Sequence, residues 1–245
     1  MKILSIGDVH GKNTWARFED IPQLIAGNFI PKYDKYIFVG DYTDSFEQSN
    51  VEIRENLDNI IAFKEKYPEN VILLWGNHDI QYYLGPSKYR CSGFRSEVFY
   101  DLNELFRNKK HLFQLSYQYN NYIWTHAGIN NIFYEELIEY LEVKGIRIET
   151  NISETLNLLF DREDPIIFRV GHSRGGWYKA GGPLWSDHRD NVFDPLGGYH
   201  QIYGHSRQKN GINKTVHNQS SSLTCIDVLE DKRGYGSELY HTLII

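Results

Sequence analysis

Five short motifs, each directly after a run of strand-forming apolar residues, constrain this chain more than any other feature. They are Gly7-Asp8-Val9-His10-Gly11, Gly40-Asp41-Tyr42-Thr43-Asp44, Gly76-Asn77-His78-Asp79, Thr125-His126-Ala127-Gly128 and Gly204-His205-Ser206. A metal-binding or proton-carrying side chain just past a strand stands where open α/β sheets build their sites, beyond the carboxyl ends of the strands. One such motif is weak evidence, because a lone Asp after a strand is usually a turn former and a lone His a packing residue. Five in order, holding four of the ten histidines, are not a chance arrangement.

The spacing between the motifs predicts alternating strands and helices in the first half. Lys2–Ile6, Tyr36–Val39 and Val71–Trp75 read as strands, Thr14–Ala26 and Val51–Lys66 as helices, the second ended by Tyr67-Pro68. That alternation implies a largely parallel sheet with covered faces. Residues 80–107 are less regular, with helix expected from Phe94 onward. Leu112–Tyr119 and Tyr122–Thr125 flank a hairpin turn at Asn120-Asn121. Helices are expected over Ile132–Lys144 and Ile152–Phe160, and loops over Gly171–Gly198. The strands Gln201–Tyr203, Ser222–Val228 and Ser237–Ile245 are expected to form a second, more antiparallel sheet. The expected architecture is a single α/β sandwich domain over 1–245, elaborated at 80–110 and 145–198.

The motif residues form a ligand set. Asp8 and His10 lie two apart on one turn, and the glycines around them let the backbone bend about an ion. Asp41 is expected to bridge two metals, Asn77 to give an amide oxygen, and His126 and His205 to complete the second metal. Mixed carboxylate and imidazole ligands admit Mn²⁺, the metal expected here, and equally Fe with Zn²⁺ or Co²⁺, among which affinity order does not choose. Two such ions about 4 Å apart can clamp a phosphate and generate a hydroxide near neutral pH. A leaving oxygen then needs an acid, for which His78 is the candidate, with Asp44 orienting it.

These motifs resemble those of the calcineurin-like metallophosphoesterase superfamily and, within it, the phosphoprotein phosphatase branch. That branch carries GDxHG, GDxVDRG, GNHE, a later HAG or HGG, and a final strand-end His. Leu184-Trp185-Ser186-Asp187 also resembles a segment between the two late histidines. The resemblance implies a four-layer α/β/β/α sandwich of two mixed sheets flanked by helices. It also implies a dinuclear centre and attack by metal-activated hydroxide without a covalent intermediate. Two departures stand out. Ser45 replaces the branch's phosphate-gripping Arg, and Asp79 replaces the Glu of GNHE.

Substitute phosphate grips are therefore sought in Arg189, just past the Trp-Ser-Asp segment, and Arg174, on a glycine-rich loop; the planar guanidinium suits phosphate oxygens. His172 and His188 nearby read as structural or exposed. Residues 81–95 interleave Tyr82, Tyr83, Tyr89 and Phe94 with Lys88, Arg90 and Arg95, a pattern that either stacks a base or packs as a loop with solvated charges.

The net charge of −6 argues against bulk nucleic-acid binding. No run of about 18 apolar residues offers a membrane span. The two cysteines, Cys91 and Cys225, read as reduced thiols of a cytoplasmic protein. The leading expectation is a metal-dependent phosphatase of phosphomonoesters, serine/threonine phosphatase-like, acting on a phosphorylated small molecule, nucleotide or phosphoprotein. The alternatives are a dinucleoside polyphosphate hydrolase or RNA-end phosphatase, and, from another class, a silent scaffold.

Overall fold

A computed structural model describes residues 1–27, 30–147, 151–228 and 240–245. It groups the chain into two compact units, 1–114 with 228–245, and 115–227.

The first unit is built on a five-stranded sheet of β1 (Lys2–Ile6), β2 (Lys35–Phe38), β3 (Val71–Leu74), β4 (Phe113–Gln114) and β10 (Tyr240–Ile244), in the order β10-β1-β2-β3-β4. The three pairings from β1 to β4 are parallel, and β10 runs antiparallel to β1. Ile6 pairs with Phe38, and Phe38 with Leu73, so the chain leaves three neighbouring strands at nearly one level. The first three motifs begin there. β3 is buried at all four positions, as expected of a parallel strand covered on both faces. Helix α2 (Asn50–Lys66) begins with a reciprocal capping box between Ser49 and Glu52. Its buried residues Ile53, Leu57, Ile60 and Ile61 recur at helical spacing along one stripe. Trp15 packs edge-on against Phe38 at 5.3 Å, and its indole N–H donates to Asn56 of α2 at 2.8 Å.

The second unit carries β5 (Ser116–Tyr119), β6 (Tyr122–Thr125), β7 (His200–Tyr203), β8 (Asn213–Asn218) and β9 (Ser221–Cys225), ordered β5-β6-β7-β9-β8. Its pairings are antiparallel at both edges and parallel in the middle. Two mixed sheets with accompanying helices agree with the α/β class expected from the sequence.

Several elements differ from expectation. The predicted helix Thr14–Ala26 is two pieces, a 3-10 turn at Asn13–Arg17 and the α-helix α1 at Ile21–Ala26. Glu19 between them has a φ of 45°, which no right-handed helix passes through, and Pro22 fits only a first turn. The predicted strand Leu112–Tyr119 breaks at Leu115. Phe113–Gln114 pairs with β3 and Ser116–Tyr119 with β6, while Asn157 Oδ1 takes the N–H groups of Leu115 (2.8 Å) and Ser116 (3.0 Å). The helix expected from Phe94 starts at Phe99. The terminal strand joins the first sheet rather than the second, and residues 237–239 of that prediction lie outside the described residues. Strand β8 was not anticipated, because its sequence NKTVHN has no apolar run.

Candidate metal centre

In the first unit the strand-end loops are zipped together by backbone bonds. The N–H groups of Val9 and His10 donate to Asp41 O at 3.2 and 2.7 Å, and Gly11 N–H donates to Tyr42 O at 3.1 Å. The second and third loops approach so closely that two glycines are obligatory. A Cβ on Gly76 would stand 2.1 Å from Asp41 N, and one on Gly40 would stand 2.6 Å from Gly76 N. Asp79, fully buried, fastens the same two loops. Its Oδ1 accepts from Tyr42 N, Thr43 N and Thr43 Oγ1 at 2.9, 3.1 and 3.0 Å, and its Oδ2 accepts from Gly76 N at 3.0 Å. Burial and the nearby Asp41 charge raise the Asp79 carboxyl, against the lowering effect of those donors.

This framework gathers Asp8, His10 and Asp41, each offering a ligand atom within 4.8 Å of the others. Asp8 and Asp41 are almost fully buried. The His10 ring carries its own evidence of fit. Its Nδ1 faces two acceptors, Thr43 O at 3.2 Å and Asp44 O at 3.1 Å, so the proton belongs on Nδ1. That leaves the lone pair on Nε2, which lies 3.7 Å from Asp41 Oδ2. Asn77, also buried, donates from Nδ2 to Cys91 Sγ at 3.2 Å. The carboxylate, imidazole and amide donors present here fit a hard or borderline divalent cation.

Beside this group, His78 opens helix α3 (Asn77–Tyr83). Its backbone N–H donates to Asp41 Oδ1 at 2.9 Å and its Nδ1 donates to Asp44 Oδ2 at 2.8 Å. Burial alone would lower the imidazole, but the Asp41 charge and the Asp44 hydrogen bond outweigh it and lift the ring to about 9. A cation on Asp41 would cancel part of that lift.

In the second unit His126 Nε2 and His205 Nδ1 face each other at 3.1 Å, with ring centroids 5.0 Å apart. The loop after His126 is held from both sides. Ala127 N–H donates to Pro183 O at 2.8 Å, Asn191 Nδ2 donates to Ala127 O at 2.9 Å, and Gly204 N–H donates to His126 O at 2.8 Å. Arg174 and Arg189 share one partner, Asp187. Arg174 Nε lies 2.9 Å from Oδ2 and Arg189 Nε 3.0 Å from Oδ1. Arg174 also donates to Ser206 Oγ at 2.6 Å and His205 O at 3.4 Å, whereas the Arg189 side chain is 78% exposed. Burial would raise Asp187, but hydrogen bonds from Arg189 and the charge of Arg174 hold it below the usual carboxylate range. His188 sits between Tyr203 OH at 2.8 Å and Asn213 Nδ2 at 3.2 Å, and His172 is exposed, so both are placed as structural or surface residues.

Strain marks the same positions. Among the described residues seven non-glycine residues have positive φ, and His10, Asp41, Asp44 and His205 account for four of them. Such backbone persists where the surroundings over-determine it, and it concentrates at functional sites.

Within residues 81–95, the end of α3 and a helical turn at Pro86–Tyr89 carry several side chains engaged in bonds inside the first unit. Tyr82 is fully buried with its hydroxyl on Asp44, Tyr83 stacks on Trp75 at 4.9 Å, and Arg95 is bound to Ser45 O, Gln48 O and Asn50 Oδ1. Asp79 and Gln81 were missed as supporting residues by sequence reasoning. Their spacing on α3 was visible, but their partners were not.

The model of the calcineurin-like phosphoesterase family matches residues 1–208, and the chain belongs to that family. It is accordingly a phosphoester hydrolase, in a family that works with a dinuclear metal centre. Among solved structures it is similar to the cold-active protein-tyrosine phosphatase of a psychrophilic Shewanella species. That match has a TM-score of 0.60 and 16% identity, over 93% of this chain and 71% of that one. A further structure of a cold-active protein tyrosine phosphatase gives 0.57 and 15%, over 93% and 70%. These likenesses show the shared fold. Among the described residues no helix is long and apolar enough to cross a membrane.

Proposed function

We propose that the protein is a metal-dependent phosphatase of phosphomonoesters, with Asp8, His10, Asp41, Asn77, His126 and His205 holding two divalent cations, Mn²⁺ foremost. When bound, such cations supply Lewis-acid polarisation of the phosphoryl group and a water that ionises near neutral pH. His78 holds a proton and delivers it to the ester oxygen as that oxygen departs, while Asp44 fixes the ring from Nδ1. Arg189 grips the phosphate oxygens in place of the Arg that Ser45 replaces. Its exposed guanidinium can exchange Asp187 for substrate, whereas Arg174 holds the base of that arrangement.

The observation that carries this reading is the 2.8 Å bond from His78 to Asp44 immediately beside the Asp8–His10–Asp41 group. An acid and a ligand cluster on adjoining residues suit phosphate ester cleavage better than metal storage. An aryl phosphate is the favoured substrate class. Phe46, directly after Ser45, is 82% exposed and offers an aromatic face next to that motif. Likeness to phosphatases described as acting on protein tyrosine points the same way.

The test is phosphate release after Mn²⁺ loading from p-nitrophenyl phosphate, phosphotyrosine and phosphoserine peptides, and diadenosine tetraphosphate. Chelator-sensitive turnover led by the aryl esters is expected. Preference for the dinucleotide would overturn the monoesterase reading, and failure to bind any divalent metal would point to a scaffold.

A further inference from the structure

We propose that Gln81 and Tyr82 are positioning residues for the proton-donating pair, orienting the Asp44 carboxylate from the very helix that carries His78. This rests on the reading of His78 as the acid.

Helix geometry supplies the first part of the argument. Residues three and four apart lie on one face of a helix, so His78, Gln81 and Tyr82 form one cluster on α3. Asp44 comes to that face from a different loop, with a left-handed φ of 57°. The cluster then closes on its carboxylate. Oδ2 accepts from His78 Nδ1 at 2.8 Å and from Gln81 Nε2, and Oδ1 accepts from the Tyr82 hydroxyl at 2.5 Å. A carboxylate bonded to one imidazole alone can rotate about its own axis. Three donors spread over both oxygens fix its plane, and with it the direction in which the imidazole points.

The two supports are themselves fixed at their far ends. Gln81 Oε1 accepts from Cys91 N at 2.9 Å, so its amide cannot turn without placing an NH₂ against an N–H. The Tyr82 oxygen accepts from Arg95 N at 2.9 Å, and its ring stacks on Phe94 at 5.2 Å. Both side chains are fully buried, where an amide and a phenol are costly unless every polar atom is matched. An apolar pair would fill that space more cheaply, but would leave Asp44 with one donor. Fastening residues 91–95 is the competing explanation for the same bonds, and it makes a different prediction about leaving groups.

Proton donation matters little when the departing group is an acidic phenol and greatly when it is an alkoxide. The experiment compares Gln81→Met, Tyr82→Phe and His78→Gln for metal content and for kcat on p-nitrophenyl phosphate and glycerol phosphate. In Gln81→Met and Tyr82→Phe, kcat on the alkyl ester is expected to fall about 10- to 100-fold, against less than about 3-fold on the aryl ester, with metal content unchanged. Equal losses on both esters, or none, would mean a purely structural role and overturn the proposal. If His78→Gln also shows no split between the esters, the acid assignment has failed. A split in His78→Gln alone defeats only the role of Gln81 and Tyr82. Should the wild type turn over neither ester, crystal structures of the metal-free variants decide. A His78 Nδ1 to Asp44 bond still within roughly 3.2 Å in both variants would overturn the proposal, and its loss would support it.

Discussion

The backbone N–H of His10 donates to the carbonyl oxygen of Asp41 at 2.7 Å, while the Nε2 of the same histidine lies 3.7 Å from the Asp41 carboxylate. Both residues have left-handed backbone, with φ of 45° and 54°. Each therefore accepts a costly conformation that the other helps to hold, and the two side chains are presented together. The geometry of the ligand group is set by loop-to-loop hydrogen bonds before any ion binds.

Gly76→Ala tests that framework. The new Cβ would press on Asp41 N at 2.1 Å and on Asp41 Oδ1 at 2.2 Å, and neither the backbone nor a clamped carboxylate can yield cheaply. A loss of about 3 kcal/mol or more in unfolding free energy is expected. Urea titration checks it, with loss of metal binding in whatever folded protein remains.

His78→Gln separates chemistry from metal binding. The imidazole is proposed as proton donor and not as ligand, so kcat on an alkyl phosphate should fall about 100- to 10,000-fold with metal content intact, and much less on an aryl phosphate. Metal analysis of the purified variant alongside its kinetics decides the matter. Parallel loss of both would return His78 to the ligand set.

The lifted His78 has a consequence for the metal-free protein. Its folded value, about 9, lies above the ordinary 6.5, so the charged form is favoured by folding. That stabilisation is complete below about pH 6.5 and fades as pH rises through about 9. The stability difference between wild type and His78→Gln should therefore shrink by on the order of 3 kcal/mol between about pH 6 and about pH 10. Chelator-treated samples unfolded in urea at the two pH values measure it. A difference independent of pH would contradict the charged pairing with Asp44.

The two arginines on Asp187 should respond differently. Arg189→Ala removes an exposed side chain and is expected to raise KM about tenfold with little change in stability. Arg174→Ala removes the bonds to Ser206 and His205 as well as to Asp187, and should lower the unfolding free energy by about 1–3 kcal/mol. Steady-state kinetics and thermal melting on both variants give the comparison. A KM effect confined to Arg174→Ala would reverse the assignments.

The strands that carry the motifs were legible because buried parallel strands are short apolar runs. Lys2–Ile6 occupies the predicted positions without change, and Val71–Leu74 ends one residue early. The residues proposed as ligands were legible as candidates because each stands in a motif at a strand end. What escaped depends on partners remote in sequence. The division at Leu115 is made by the Asn157 amide, and β8 exists because β9 offers an open edge to a polar segment. The short helix His188–Phe193, within a stretch expected to be loop, starts on the Asp187 side chain, which accepts from Arg189 N at 2.9 Å. Tyr82 was noticed for its ring, but its hydroxyl is what contacts Asp44, and no spacing in the sequence reveals that bond.

Strand β10 lies against β1, with all five residues of each strand paired. Its partners in the same sheet lie before residue 115, so the whole second unit is synthesised between the first four strands and the fifth. Until residues 240–244 are made, the β1 edge of this sheet has no partner strand on that side. Unpaired apolar edges recruit other chains. Pairing of β10 with β1 thus removes an open edge of the kind that recruits other chains, and it does so only after the second unit has been made.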